Sequence, residues 1–282
     1  MNYRHAYHAG NHADVVKHAV LALAVAHFRK KDKPFRFLDL HAGIGVYDLS
    51  GSEAEKTREW QGGVGRMAEK FAAPIEALLA PYRESLAALN SEGGSRFYPG
   101  SPWLAARLMR PEDRLNLNEL HPEDAQALRA CFRRDRRVTI TELDAAIAIR
   151  AQLPPSERRG LVLIDPPYEA KDEAEKALTM LRDGLSRFAT GCFLLWFPVK
   201  SDGTADRLRA GAAALGVPGT LHLTLRVRES FRGGGLAGSG LIIVNPPWRL
   251  DEELKFLMPA LAERLRIEDW GQASVSWLLP PL

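Results

Sequence analysis

Apolar and polar positions follow two rhythms along the chain, and their order sets the expected architecture. From Asn11 to about Lys30 apolar residues recur at helical spacing, with Val15, Val16, Ala19, Val20 and Leu23 as one stripe and Asn11 or Asp14 as the N-cap. "KDKP" ends this helix, and "FRFLDL" follows as a short buried strand running into "HAGIG". Between Gly51 and Tyr98 the rhythm turns helical, in "SEAEKTREW", "GRMAEKFAA" and "IEALLAPYRESLAALN". Glycine and proline separate these pieces, and the turn-rich "SEGGSRFYPGSP" closes the block. Beyond it, strands and helices alternate. The strands read "RLNLNEL", "RVTIT", "GLVLID" and "GCFLLWFPV", then a last pair, "GTLHLTLRV" and "GSGLIIVN", around a glycine-rich loop. The helices between them read "PEDAQALRACFRRD", "ELDAAIAIRAQL", "KDEAEKALTMLRDGLSRF" and "TADRLRAGAAAL".

This alternation predicts an α/β fold of the Rossmann-like kind, with a mainly parallel sheet and helices on both faces. Residues 1–50 supply an N-terminal cap, a helix and the first strand, 51–98 an inserted helical subdomain, and 99–282 the rest of the core. The inserted block is expected to stand outside the sheet, to contact a large ligand, and to be replaceable by a short linker without loss of the fold. Ligands bind such sheets at the carboxyl ends of strands. The places to look are therefore Asp39, Glu119, Thr141 to Asp144, Asp165, Pro198 and Asn245.

Composition narrows the class without naming a partner. The 282 residues are 46% hydrophobic and 26% charged, as in ordinary globular proteins, and the net charge of +3 suits nucleic acid without requiring it. Cys131 and Cys192 lie far apart with no CxxC spacing, which speaks for a reducing compartment and against zinc or a disulfide framework. No run of 18 apolar residues occurs, and the start of the chain has no apolar signal region. A soluble cytoplasmic protein, monomeric and off the membrane, is expected. His5, His8, His12 and His18 lack the spacing of a metal site with an acidic third ligand, so no metal is expected.

Candidate chemistry gathers at the strand ends. In "DLHAGIG", Gly43 and Gly45 let the backbone pass close to a ligand, although the third glycine of the dinucleotide fingerprint is absent. Glu119 lies 74 residues past Gly45, and setting aside the 48 residues of 51–98 leaves 26, near the spacing of a ribose-binding acid. Glu119 is thus assigned to ribose hydroxyls, with a helix-capping or surface role as the plain alternative, and Asp144 to the adenine end.

The string "LVLIDPPYEA" is the sharpest signal. The exocyclic amine of adenine or cytosine is a poor nucleophile because its lone pair is delocalised into the ring. A carboxylate and a backbone carbonyl accepting its two N–H bonds would turn that lone pair toward an electrophile. Pro166 and Pro167 stiffen the loop that would do this, and Tyr168 is expected to stack on a base taken out of its helix. A sulfonium methyl is the matching electrophile, and Asp165 would take the spare proton. A strand-ending turn whose acid caps a helix and whose ring packs is the plain alternative. The place beside the glycine loop favours the chemistry. "LIIVNPPW" would suit the same reaction. It follows the last strand, across the sheet, so Asn245 is assigned to structure or substrate support.

Together "YRHAYHAGNHADVVKH", "LDLHAGIG", "FYPGSP", "NELHP", "LIDPPY" and "VNPPW" resemble the bacterial family of large-subunit ribosomal RNA adenine-N6 methyltransferases of the J type, along the whole chain. The resemblance implies a class I methyltransferase fold with a seven-stranded type of sheet. It implies S-adenosylmethionine as donor with S-adenosylhomocysteine as product, and N6-methyladenosine in 23S ribosomal RNA. By matching motifs, Asp165 resembles the family's catalytic acid, with Pro166, Pro167 and Tyr168 completing its loop. The likeness places His18, His41, Gly43, Ser101, Glu119, Asp144, Ala145 and Asp165 around the donor, and Tyr3, His5 and Lys17 beside the target adenine. Where the family has Asp-Gly this chain has Asp144-Ala145, a change that keeps the backbone N–H.

Two arginine runs are candidates for RNA contact, "RRDRR" (133–137) and "RVRESFRGGG" (226–235). The first reads as a solvated helix end. The second sets Arg226, Arg228, Phe231 and Arg232 beside a flexible loop suited to phosphates. The competing readings are a DNA adenine methyltransferase, a nucleotide-binding oxidoreductase that the missing glycine disfavours, and a catalytically silent RNA-binding scaffold that the intact DPPY disfavours.

Overall fold

Strands whose successive residues are all apolar must be covered on both faces, and the sheet of this protein is. The computed structural model describes residues 4–229, 236–267 and 269–282. Five strands run parallel: β1 (Arg36–Asp39), β4 (Arg114–Asn118), β5 (Val138–Thr141), β6 (Gly160–Ile164) and β7 (Cys192–Val199). Three antiparallel strands extend the β7 edge, β8 (Thr220–Arg226), β9 (Gly238–Val244) and β10 (Gln272–Leu279). The order is β5-β4-β1-β6-β7-β9-β8-β10, while β2 (Val46–Asp48) and β3 (Phe97–Pro99) pair separately as a small ribbon. The sheet therefore has the expected seven strands plus an eighth, whose alternating exposed and half-buried residues mark it as an edge strand.

Neighbouring residues of each strand go to opposite layers. Phe37, Leu161, Leu163, Leu194 and Ile243 pack with α1 (His12–Arg29), α3 (Ala73–Leu89), α4 (Ser101–Leu108), α5 (Pro122–Phe132) and α9 (Leu250–Leu265). Leu38, Val162, Ile164, Phe193 and Ile242 pack with α6 (Ala145–Gln152), α7 (Glu173–Arg187) and α8 (Thr204–Ala214).

Asn11 is the N-cap of α1, its Oδ1 accepting from the N–H groups of Ala13 and Asp14 at 2.9 and 3.0 Å. The apolar stripe expected on this helix is too narrow a description. Every residue from Ala13 to Val25 is buried, because α3, α4 and α9 cover the sides the stripe would leave to water.

The block 51–98 contains α2 (Ser52–Thr57), two short 3-10 turns (Glu59–Gly62 and Val64–Met67) and α3. Its helices stay out of the large sheet, but they are not an appendage. Leu79 and Tyr82 of α3 are fully buried in the layer that holds α1. At Gly63 a Cβ would lie 2.1 Å from the Gly10 carbonyl oxygen, so only glycine lets this block press against the N-terminal segment. A linker in its place would bare the side of α1 that α3 covers.

Strand direction also corrects the list of strand ends. Because β9 is antiparallel, Val244 pairs with Phe193 near the start of β7, and Asn245 emerges at the pole where the parallel strands begin. The arginine run at 133–137 is partly structural. Arg137 donates to the carbonyls of Met109 and Ala106, both at 2.8 Å, closing the C-terminal end of α4. Among the described residues no helix is long and apolar enough to cross a membrane.

Candidate active site

The carboxyl ends of the parallel strands open into a cleft of about 630 Å³. Its walls include His5, Lys17, His18, His41, Gly43, Ser101, Glu119, Asp144, Ala145, Asp165, Pro166 and Pro167. Twelve of the residues singled out from sequence thus meet in one cavity. Tyr3 lies outside the described residues.

The floor is the loop after β1. Gly43 has φ of +63°, and a Cβ there would sit 2.2 Å from the Tyr47 hydroxyl, so glycine is required both by conformation and by room. Its N–H donates to Glu119 Oε2 at 2.8 Å, and the His121 N–H donates to Oε1 at 2.9 Å. These bonds hold the carboxylate facing the loop and leave further lone pairs on both oxygens. Burial raises the Glu119 pKa against those two backbone bonds. Asn118, one residue earlier, joins three strand ends: its amide donates to the carbonyls of Leu40 and Leu143 and accepts from Thr141 Oγ1. At the far side Asp144 caps α6 through a bond from Ala146 N–H, and Ala145 follows without positive φ. The alanine therefore costs the loop nothing that glycine would provide.

Asp165, at the end of β6, belongs to a buried charge cluster. Lys17 Nζ lies 2.6 Å from Asp165 Oδ2 and 2.9 Å from Asp14 Oδ1. Asp14 Oδ2 also receives His5 Nε2 and the Gly10 N–H, both at 2.9 Å. Burial works against the charge on Lys17, but Asp14 and Asp165 hold its pKa above the ordinary lysine value. Burial would likewise raise Asp14, and the nearby His5 and Lys17 hold it well below the usual carboxylate range. One ammonium is thus fixed between two carboxylates, and Asp165 Oδ1 is left without a protein partner among the described residues.

Two imidazoles flank this cluster. The Asp165 N–H donates to His41 Nδ1 at 3.2 Å, and burial pushes the His41 pKa down to about 4. A neutral ring that accepts at Nδ1 carries its proton on Nε2, which is then a donor for a ligand. His18 is also neutral, its pKa lowered by burial to about 3, and its Nδ1 lies 2.9 Å from the Tyr98 hydroxyl. Beneath them Asp39, fully buried, accepts from Ser101 Oγ at 2.6 Å and from the His41 N–H at 3.2 Å, and burial raises its pKa to about 7.

The N-terminal segment crosses the mouth of the cleft. Arg4 pairs with Glu123 and Asp124 of α5 at 2.9 and 3.0 Å. At the other side Glu59 of the inserted block takes His8 Nδ1 at 3.0 Å and the Asn11 amide at 2.9 Å.

Tyr168 departs from expectation. Its side chain is buried in the layer of α6 to α8, and its hydroxyl donates to the Trp196 carbonyl at 2.7 Å. The ring that faces the cleft beside Asp165 is Trp196, with Lys17 Nζ 5.6 Å from its centroid. The sequence signal for Trp196 was its alternate position in a strand ending at the site. For Asp14 it was the i, i+3 spacing to Lys17. At the opposite pole Asn245 donates to the carbonyls of Ala189 and Gly191 at 2.8 and 2.9 Å, a structural bond far from the cleft. In the second arginine run, Arg226 stacks on Trp270 at 5.0 Å, whereas Phe231 and Arg232 lie outside the described residues.

Residues 32–279 match the family described as "Ribosomal RNA large subunit methyltransferase D, RlmJ". The chain is 40% identical over 280 residues to ribosomal RNA large subunit methyltransferase J of Escherichia coli strain K12, and 41% identical over 281 residues to the protein of that name from Haemophilus influenzae. Both alignments cover 99% of each chain. Among solved structures, protein LPL1258 from Legionella pneumophila is similar with a TM-score of 0.86 and 29% identity, over 96% of this chain and 98% of that one.

Proposed function

The chain belongs to the large-subunit ribosomal RNA methyltransferase J family, and on that premise we propose that its cleft joins S-adenosylmethionine to an adenosine of 23S ribosomal RNA and methylates the N6 amine. One observation carries this reading: an acid on a proline-stiffened strand end, ion-paired to a buried lysine, shares a cavity with the glycine loop and the strand-end acid of a nucleotide site.

The donor groups fit the donor molecule. Glu119 has lone pairs for ribose hydroxyls, the Asp144-Ala145 turn offers a backbone edge to adenine, and the Nε2–H groups of His41 and His18 offer donors to the amino-acid end. A cleft of about 630 Å³ is in the ordinary range for such a ligand. When bound, S-adenosylmethionine supplies an electrophilic methyl on sulfur. Everything else falls to the protein.

Lys17 grips Oδ2 of Asp165 and fixes the plane of its carboxylate, so that Oδ1 accepts an N–H bond of the adenine amine. The amine is thereby oriented with its lone pair available, and the proton it carries in excess after the new N–C bond forms passes to Asp165. Trp196 gives the base an apolar wall, and His5 ties the N-terminal segment to the same cluster through Asp14. That segment excludes water from the reacting atoms. The inserted block contributes exposed Lys56 and Arg58, close in sequence to the cleft residue Glu59 and suited to phosphates of a large RNA.

The test is incubation with isotopically labelled methyl donor and separate pools of 23S ribosomal RNA, 16S ribosomal RNA, transfer RNA and DNA. Label is expected in 23S ribosomal RNA, recovered as N6-methyladenosine. Label in DNA, or in another nucleoside, would overturn the reading.

A further inference from the structure

Three polar rings form a buried line from the inserted block to the cleft. Tyr82 of α3, Tyr98 of β3 and His18 of α1 are each at most 1% exposed. The Tyr82 and Tyr98 hydroxyls are 3.4 Å apart, the Tyr98 hydroxyl is 2.9 Å from His18 Nδ1, and the Tyr98 and His18 rings stack at 5.5 Å. Burial holds both phenols above their ordinary pKa and His18 below its own, so all three are neutral near pH 7.

Proton counting gives this line a direction. A neutral imidazole has one N–H. If His18 Nδ1 carried it, the Tyr98 hydroxyl would accept it and donate on to Tyr82, whose own proton would then have no acceptor among the described residues. A buried donor left unpaired costs about 1–3 kcal/mol. In the reverse direction Tyr82 donates to Tyr98, Tyr98 donates to His18 Nδ1, and every hydroxyl proton is used. His18 then carries its proton on Nε2, which has no partner among the described residues, and the ring lines the cleft.

We propose that Tyr98, backed by Tyr82, is a positioning residue that locks His18 in the Nε2–H tautomer, and that the inserted block takes part in donor binding through this line. The inference rests on the reading of the cleft as the S-adenosylmethionine site. The group received by Nε2–H is an acceptor on the donor, for which its carboxylate is the chemical match. No cation at His18 is needed, because a preset neutral donor avoids the cost of a buried charge.

The experiment combines nitrogen-15 NMR of the histidine rings with calorimetry of S-adenosylmethionine binding, on the full chain and on Tyr98→Phe and Tyr82→Phe. The phenylalanines keep the packing and remove only hydroxyls. The wild type should show His18 as the single Nε2–H tautomer. Tyr98→Phe should mix the tautomers and weaken donor binding about tenfold, or about 1.4 kcal/mol, with Tyr82→Phe giving a smaller shift in the same direction. Failure of the wild type to bind donor would overturn the donor reading itself. Donor binding by a wild type whose His18 protonates Nδ1, or an unchanged Kd in Tyr98→Phe, would leave that reading standing and overturn the tyrosine line.

Discussion

The two Pro-Pro-aromatic turns of this protein, Asp165-Pro166-Pro167-Tyr168 and Asn245-Pro246-Pro247-Trp248, carry nearly the same residues and sit at opposite poles. Each leaves a fully buried strand, and each holds one residue at φ of +53°, Tyr168 in the first and Asn245 in the second. Yet Asp165 faces a cleft with one carboxylate oxygen unbonded among the described residues, while the Asn245 amide is spent on the carbonyls of Ala189 and Gly191. The aromatic residues are exchanged in the same sense. Tyr168 is packed inside, and Trp248 is 86% exposed. The cause is strand direction. β6 runs parallel to its neighbours and ends where they end, whereas β9 runs against them and ends where they begin. A motif in an α/β sheet acquires its chemistry from the pole it reaches, and that is a property of topology.

Four changes probe the contrast, in falling order of effect. Lys17→Met removes the ammonium held between Asp14 and Asp165 and leaves the buried Asp14 and the partly buried Asp165 without their shared cation. Denaturant unfolding should show a loss of about 3–5 kcal/mol, with turnover lost as well; wild-type stability would mean that the cluster does not hold the first turn. Asn245→Ala removes two hydrogen bonds at a left-handed position, and a loss of about 1–3 kcal/mol is expected, with turnover per folded molecule unchanged. A third measurement concerns the strap over the first turn. Its bond to Glu59 raises the pKa of His8, and His8 and Asn11 overcome burial to depress that of Glu59. The His8 contribution is full below its unfolded pKa of about 6.5 and is lost as pH rises through the raised folded value. The Glu59 contribution is present above its unfolded pKa and is lost as pH falls through the depressed one. The melting-temperature gap between wild type and His8→Ala should therefore be wider at pH 6 than at pH 8.5. Both groups are more than a third exposed, so the effect stays below ~1 kcal/mol. Trp248→Ala should change stability by no more than about 0.5 kcal/mol and leave turnover alone; a clear loss of RNA methylation would show that the second pole takes part.

Much of this was legible in the sequence because it depends on local pattern. The alternating elements, the glycine loop, the acid after "GLVLI" and its proline pair all follow from spacing and residue type. What escaped depends on distant parts of the chain meeting. The burial of α1 on every side needs α3 and α9, which both follow it far along the chain. The inward turn of Tyr168 is set by the Trp196 carbonyl, and Trp196 faces the cleft because β7 lies beside β6. Asp14 could be read as a helix cap. Only the fold brings it to Lys17, His5 and Gly10 at once, while Asn11 takes the cap. The pole of Asn245 required knowing that β9 inserts antiparallel between β7 and β8. Edge strand β10, with its half-polar alternation, lies past the last apolar run and gave a weaker signal.

If methyl transfer belongs to the Asp165 turn and not to its counterpart, the two turns must respond differently to loss of their first residue. Single-turnover transfer from labelled S-adenosylmethionine to 23S ribosomal RNA, run in parallel on Asp165→Ala and Asn245→Ala with donor affinity measured on each, tests it directly. Asp165→Ala is expected to lose about 10³-fold or more in rate with donor affinity within about tenfold of wild type, an energy of about 1.4 kcal/mol. The folded fraction of Asn245→Ala is expected to keep the wild-type rate. Near-normal transfer by Asp165→Ala, or equal loss in both variants, would contradict the assignment to the Asp165 turn.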